Sequence, residues 1–225
     1  MPLNRDHSSG LERATATEQV YKAMIEELVS GRLHRNEKLQ ERELAEYFKI
    51  SRTPLREAIR KLEHDGFLTS EPYRGVFVRD YTKKEVEKLF EFRIELEAMA
   101  ARLAAFRATP EDIELMKKSI KVYEQTLFGH NLDSNIRTTA ELHILIGRAS
   151  QNPWLSRTIY QMQIHSSLLR HQSHLDPGRR KLIIQEHKNL VNAIEAANPA
   201  EAEKIIRKHL DSAREFVIGH VFPAT

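Results

Sequence analysis

The sequence predicts a mostly α-helical protein: an N-terminal winged helix-turn-helix followed by a C-terminal, all-helical bundle of about six helices. Two observations carry this prediction. Short helical segments and two β-like runs are confined to residues 16–80, whereas residues 81–225 show almost continuous helical periodicity without a strand pattern. Residues 1–15 are polar and aperiodic, so we expect a disordered tail before the first domain.

The N-terminal domain begins with a helix predicted from Thr17, a candidate N-cap, to a stop signal at Gly31. A second helix is predicted over residues 41–48, and a third begins after Ser51, another candidate N-cap, and runs through Asp65. Two short helices separated by a few residues are typical of a helix-turn-helix.

Two β-like runs follow the third helix, residues 67–70 and residues 76–78, with a turn at 72–75 between them. This hairpin is predicted to be a wing. Beyond Tyr81, helix breaks are expected at five places: 109–110, 129–134, 152–153, 176–178 and 198–199. Trp154, just after one of these breaks, is interpreted as a packing anchor.

Composition limits the classes of protein to consider. Hydrophobic residues make up 40% of the 225 and charged residues 30%, which is ordinary for a globular protein. There is no apolar run long enough for a membrane span and no apolar signal-peptide core, so we expect a cytoplasmic protein. The chain has no cysteine, so any metal must be held by His, Asp, Glu or water.

The third helix has two distinct faces. Its apolar residues cluster on one side, while Arg52, Arg56 and Arg60 line another. A helix of this width fits the major groove, where arginine can bond bidentately to guanine. A cationic face alone is also common on solvated helices, so this pattern leaves both interpretations open.

Three histidines in the C-terminal region are in phase with apolar residues of their own helices: His143, His187 and His209. Imidazoles that converge in a bundle could bind a divalent metal, although one buried histidine can also be an ordinary core residue. Arg93 is likewise expected to point inward, where its charge needs an anion. That anion is either Glu97, one turn away, or the carboxylate of a bound small acid.

Several segments resemble known families. The N-terminal segments resemble the GntR family of transcriptional regulators; they are Leu39–Ala45, Ser51–Leu62 and Asp65–Leu68. The C-terminal segments resemble the FadR-type effector domain, called FCD; they are Arg93–Glu97, Ala100–Ala105, Glu141–His143, Asn152–Pro153, Glu186–His187 and Lys208–Leu210. Together the two regions cover nearly all of the chain after residue 16.

The resemblance implies which residues contact operator DNA. On the helix-turn-helix these are Arg42, Ser51, Arg52, Thr53 and Arg56, and Arg74 and Gly75 stand at the wing tip that enters the minor groove. Two positions depart from the family pattern. Arg35-Asn36 replaces the usual Pro-Gly, and Lys49 occupies a turn position that often holds glycine, which predicts some backbone strain.

The resemblance also implies an effector site with a divalent metal such as zinc or nickel. FCD proteins typically place an Asp four residues before the first histidine, but here that residue is Thr139. The metal would then have three neutral ligands, with water or an effector carboxylate completing its shell. We predict that the effector is bound by Arg93, Thr139 and the three histidines.

The sequence therefore predicts a homodimeric regulator, expected to act as a repressor, that binds double-stranded operator DNA and responds to a small organic acid. It is not expected to be an enzyme. Two alternatives remain open. The ion itself could be the signal, with Arg93 paired to Glu97, or the histidines could form a hydrolytic zinc site. The hydrolytic alternative lacks a general base, since Glu186 diverges by about 100° from its neighbour His187 on a helix.

Overall fold

A computed structural model describes residues 15–126 and 132–222, with the side chains of residues 126, 132–139 and 170–175 outside the description. The predicted tail therefore lies outside the described residues except for Thr15. The described chain divides into two compact units. The first comprises residues up to 27 together with 33–80, and the second comprises 28–32 together with 81–222.

The predicted helix-turn-helix and wing are confirmed. In chain order the elements are α1 (Ala16–Ser30), β1 (Lys38–Leu39), α2 (Glu41–Phe48), α3 (Arg52–His64), β2 (Leu68–Glu71) and β3 (Gly75–Val78). The strands form an antiparallel sheet in the order β1-β3-β2, with Leu39 and Ser70 both paired to Val76. Strand β1 was not predicted, because two residues are too few to show an alternating pattern.

The N-terminal cap of α1 differs from the prediction. Thr15 forms a capping box, in which its hydroxyl accepts from the backbone N of Glu18 at 3.2 Å and the Glu18 carboxylate accepts from the backbone N of Thr15 at 3.1 Å. Thr17 lies inside the helix and donates to Glu57 at 2.7 Å. Ser51 does precede α3 as expected, but its side chain makes no capping hydrogen bond.

Both departures from the family pattern adopt left-handed backbone conformations. Asn36 has a φ of 62° and Lys49 a φ of 54°. Lys49 ends α2, and its backbone N–H donates to carbonyls of the last turn. A residue with a Cβ atom costs about 1–2 kcal/mol here relative to glycine, and asparagine tolerates the conformation better than lysine does.

Among its described residues the second unit contains six helices, in line with the about six expected from the sequence: α4 (Lys83–Arg107), α5 (Pro110–Thr126), α6 (Leu132–Ala149), α7 (Pro153–Leu175), α8 (Pro177–Glu195) and α9 (Pro199–Val221). Four of them begin with proline after a capping side chain, which is Thr109, Asn152, Asp176 or Asn198. The break predicted at 129–134 falls largely outside the described residues.

The core of the second unit is built around α4. Small residues on its inner side allow neighbouring helices to approach closely; they include Ala98, Ala101, Ala104 and Ala105, all buried. The prediction for Trp154 is wrong, because its side chain is 78% exposed. No helix among the described residues combines the length and apolar character needed to cross a bilayer.

Candidate functional site

The cationic helix α3 is fixed in place by its buried apolar face and by contacts with α1. Its apolar residues are fully buried; they are Leu55, Ala58, Ile59 and Leu62. Helix α1 braces it through the Tyr21 hydroxyl, which donates to Asp65 at 2.6 Å, and through Lys61, whose ammonium lies 4.5 Å from the Tyr21 ring centroid. Because Lys61 is engaged with Tyr21, the outward cationic face of α3 consists of the exposed Arg52, Arg56 and Arg60.

The residues predicted to contact DNA on the helix-turn-helix are all exposed: Arg42, Ser51, Arg52, Thr53 and Arg56. Arg56 is not isolated, since its Nε donates to Glu41 on α2 at 2.8 Å. This contact occupies one N–H and leaves the Nη groups of Arg56 for another acceptor. It also limits the rotamers of a side chain that is still 58% exposed.

The wing tip carries the other two predicted DNA contacts. Arg74 and Gly75 are both exposed, and Arg74 pairs with Glu71 across the turn. Gly75 has a φ of 106°, a conformation that residues with a Cβ atom rarely adopt. Tyr73, which the sequence analysis did not single out, is fully exposed beside them.

The second unit brings three histidines from three helices together. His143 (α6), His187 (α8) and His209 (α9) are 2%, 2% and 4% exposed. Their ring centroids are 5.4 Å, 5.4 Å and 4.8 Å apart, and one nitrogen from each ring lies within 4.8 Å of the other two. The convergence expected from helical phase is therefore present, while the role of these histidines as ligands stays a prediction.

Two of these histidines are oriented by carboxylates. Nδ1 of His143 donates to Glu97, and Nδ1 of His209 donates to Glu186 at 2.7 Å. With Nδ1 used in this way, Nε2 is the nitrogen that remains for a ligand-binding role. A carboxylate that accepts from one ring nitrogen is the arrangement that orients histidine ligands of metals, which bind through the other ring nitrogen.

Glu97 is the centre of a buried network. It accepts from Nε of Arg93 at 2.9 Å and from Nε2 of Gln163 at 3.0 Å, in addition to His143. Burial on its own would raise the pKa of Glu97, but Arg93 and His143 outweigh it and hold the pKa far below its ordinary value. Of the two anions proposed for Arg93, the internal one is therefore present.

His209 has a strongly perturbed pKa. Burial lowers it well below 6.5, and the electrostatic influence of the neighbouring His143 and Arg179 lowers it further. A neutral imidazole is the form that binds a metal, so His209 needs no deprotonation near neutral pH.

The donor set fits a divalent transition metal. Three imidazoles, two of them held by carboxylates through Nδ1, suit zinc or nickel, and such a site leaves a coordination position for water or an anionic ligand. Any part played by Thr139 lies outside the described side chains.

Glu186 and Gln163 were missed as parts of this site, and Arg179 was missed as a buried cation in its neighbourhood. Glu186 was set aside because it diverges from His187 on α8, yet it reaches His209 on the neighbouring helix. The phase of one helix cannot reveal contacts between two helices. Arg179 is buried near the start of α8, and its only sequence signal is its phase with Ile183 and Glu186.

The chain is similar to bacterial transcription factors along nearly its whole described length. The family model "Bacterial regulatory proteins, gntR family" matches residues 16–78, and the FCD domain model matches residues 88–212. The Nta operon transcriptional regulator of Aminobacter aminovorans is 31% identical, over 86% of this chain and 92% of its own length.

Two further comparisons agree. The protein named "Probable D-xylose utilization operon transcriptional repressor" of Paenarthrobacter nicotinovorans is 28% identical, over 90% of this chain and 89% of its own. The solved structure of E. coli McbR/YncC superposes with a TM-score of 0.85 at 22% identity, covering 93% of this chain and 100% of that one. At that identity the superposition shows a shared fold.

Proposed function

The chain belongs to the GntR family of bacterial regulatory proteins, in the FadR-type group with an FCD domain, and from that premise we propose that it is a dimeric, effector-controlled repressor. DNA-binding transcriptional regulation is common to the family. The finer proposal is that a small organic acid, bound at the three-histidine site through a divalent metal, sets the affinity for the operator. Such a protein acts where the DNA is, in the cytoplasm.

DNA recognition is proposed for the exposed face of α3 and the wing. Arg52, Thr53 and Arg56 would read bases in the major groove, with Ser51 and Arg42 on phosphates. Arg74 and Gly75 would enter the minor groove at the wing tip. The support is geometric: α3 is fixed on its buried side, so its exposed side can be presented as a rigid surface.

One observation carries the effector proposal: three buried imidazoles converge while carboxylates hold two of them by the far nitrogen. A metal there would offer an open position to an acid, and His143, His187 and His209 would be its ligands. Arg93 would act through Glu97, because its guanidinium is already bonded to that carboxylate. Thr139 remains a candidate contact one turn before His143.

The dimer proposal rests on an apolar stripe along α4, which we call the α4 stripe. Its members are spaced alternately by four and three residues; they are Phe92, Leu96, Met99, Leu103 and Phe106. Phe92, Met99 and Phe106 are 49%, 45% and 69% exposed. Alternating spacing of this kind is typical of a seam between two helices, and a second copy of the chain supplies a matching one.

Repression is proposed by analogy with relatives named as repressors, such as the one from Paenarthrobacter nicotinovorans. An acid that binds one state of the dimer better than the other would shift operator affinity by the difference in its two affinities. The proposal therefore requires one ligand with unequal affinity for the DNA-bound and free forms.

A metal sensor is the second candidate. The observation in its favour is the Arg93–Glu97 ion pair, which satisfies the buried guanidinium without any organic acid. In that case the ion alone would change operator affinity.

Selection from a pool of randomised double-stranded DNA tests the proposal. We expect the wild type to enrich an inverted repeat, and the Arg52→Ala/Arg56→Ala variant to enrich none. Arg148→Ala, which removes an exposed arginine of α6, is the matched control. The affinity for the selected repeat is then measured with chelator, with zinc or nickel, and with metal plus organic acids. A response to metal alone favours the sensor, and one that needs an acid favours the effector proposal.

A further inference from the structure

Arg179, near the start of α8, is a buried cation whose hydrogen bonds are incomplete. Arg179 is only 7% exposed. Nη1 donates to the hydroxyl of Ser212 at 2.7 Å, and the guanidinium carbon lies 5.7 Å from the ring centroid of Phe216. Among the described residues, its Nε and Nη2 have no hydrogen-bond partner. Leaving such donors unsatisfied inside a protein is costly.

The two unpartnered atoms share one edge of the guanidinium. Nε and Nη2 point in the same direction, and their parallel N–H groups match the two oxygens of one carboxylate. Nη1, on the other edge, is fixed by Ser212. The free edge of Arg179 is therefore shaped for a single planar acidic group.

The Arg179 guanidinium lies in the neighbourhood of the three histidines. Ser212, which holds the guanidinium, is one turn beyond His209 on α9, a rise of about 4.5 Å. Tyr123 of α5 is near both the histidines and Arg179. Its ring centroid is 6.5 Å from that of His187, and its hydroxyl partly offsets the lowering of the Arg179 pKa by burial. Burial lowers the pKa of Arg179, whereas the nearby Glu186 opposes that effect.

We propose that Arg179 binds a second acidic group of the effector, so that the ligand is a small dianion with one carboxylate at the three-histidine site and the other on Nε and Nη2 of Arg179. This inference rests on the proposed function. It narrows the ligand from any organic acid to a dicarboxylate.

The test is calorimetric titration of the full-length, zinc-loaded protein with straight-chain dicarboxylates of increasing length and with monocarboxylates of equal length. We expect the best diacid to bind at least about tenfold more tightly than its matched monoacid, as one added ionic contact supplies. A phosphorylated monoacid, titrated in parallel, distinguishes a phosphate from a carboxylate as the second group. Preference for the phosphorylated acid would overturn the dicarboxylate assignment.

Variants assign the preference to Arg179. Arg179→Gln should reduce diacid binding to the monoacid level and leave monoacid binding and zinc content unchanged. Lys181→Gln, which removes an exposed charge from the same helix, should keep the wild-type preference. Equal binding of diacids and monoacids by the wild type, or a preference that survives Arg179→Gln, would overturn this inference while leaving the proposed function standing. If no acid binds the zinc-loaded wild type, both fall.

Discussion

Nδ1 of His209 lies 2.7 Å from Oε2 of Glu186, so two neighbouring helices, α9 and α8, are joined at the edge of the three-histidine site. Helix α8 thus contributes to this site twice: His187 lies within it, and the adjacent Glu186 orients the ring of another histidine from outside. The rotation between adjacent helical residues, which argued against a shared cavity, is what allows the two roles.

Glu186→Ala should weaken metal binding by about 10–100-fold, because the orientation and basicity of His209 depend on its outer partner. Titration with zinc against a competing chelator measures this. Gln185→Ala, at an exposed neighbouring position, is the control and should bind zinc as the wild type does. Unchanged zinc affinity in Glu186→Ala would remove Glu186 from the site.

Arg52→Ala and Arg56→Ala should each weaken binding to the selected operator by roughly 1–3 kcal/mol if each arginine reads a base. A change that is uniform across sequences, with a smaller salt dependence, would instead assign the arginine to a phosphate. Glu41→Gln removes the carboxylate that pairs with Arg56 but keeps the arginine, so it separates the effect of the ion pair from that of the arginine itself. Fluorescence anisotropy at several salt concentrations measures all three.

Glu97→Ala should destabilise the second unit by about 3–5 kcal/mol, because Arg93 would be left as a buried, unpaired charge. Denaturant unfolding followed by circular dichroism gives the change. The double variant Arg93→Met/Glu97→Leu should recover much of the loss, since it removes both charges and keeps the volume. A loss in Glu97→Ala below about 1 kcal/mol, the usual worth of an exposed pair, would show that the pair is solvated.

Met99→Glu and Phe106→Glu should each shift the protein from dimer to monomer, because they place a charge in the α4 stripe. Leu115→Glu, at an exposed apolar position of α5, is the control and should leave the dimer intact. Sedimentation velocity over a range of concentrations measures the mass. A wild-type monomer, or a dimer that survives both substitutions, would place the interface elsewhere.

The metal-free protein should lose stability as the pH falls from about 6.5 to 5. Burial lowers the pKa of His209 in the folded state, and the neighbouring His143 and Arg179 lower it further. In this pH window the unfolded chain therefore binds a proton at His209 that the folded chain does not bind. The slope attributable to His209 is at most about 1.4 kcal/mol per pH unit. His209→Gln should reduce the measured slope, and equal slopes in the two proteins would show that His209 titrates normally when folded.

The sequence predicted the fold well where local rules decide it. Proline after Asn or Asp located the starts of α7, α8 and α9, because a capping side chain and a fixed φ act within one turn. The inward phase of the three histidines was also predictable, since the helical period fixes the side of a helix that is buried.

The features that the sequence could not predict are contacts between neighbouring helices and the exposure of particular side chains. The ion pair of Arg56 with Glu41 joins two helices, as do the contacts of Glu186 with His209 and of Arg179 with Ser212. Trp154 was expected to be a packing anchor, but it stands at the first turn of α7, facing solvent in the described unit. The hydrophobicity of a residue alone does not show whether its side of a helix is buried.

Metal content tests the central claim most directly, namely that the three-histidine site holds a divalent ion through which the effector acts. The protein is purified without chelator or a histidine tag, and bound transition metals are measured by elemental analysis for the wild type and His187→Ala. The account predicts about one ion per wild-type chain, as a single three-ligand site requires, and its loss in the variant. A wild type that carries no ion even after zinc or nickel is supplied would contradict it, and the histidines would then be a polar cavity.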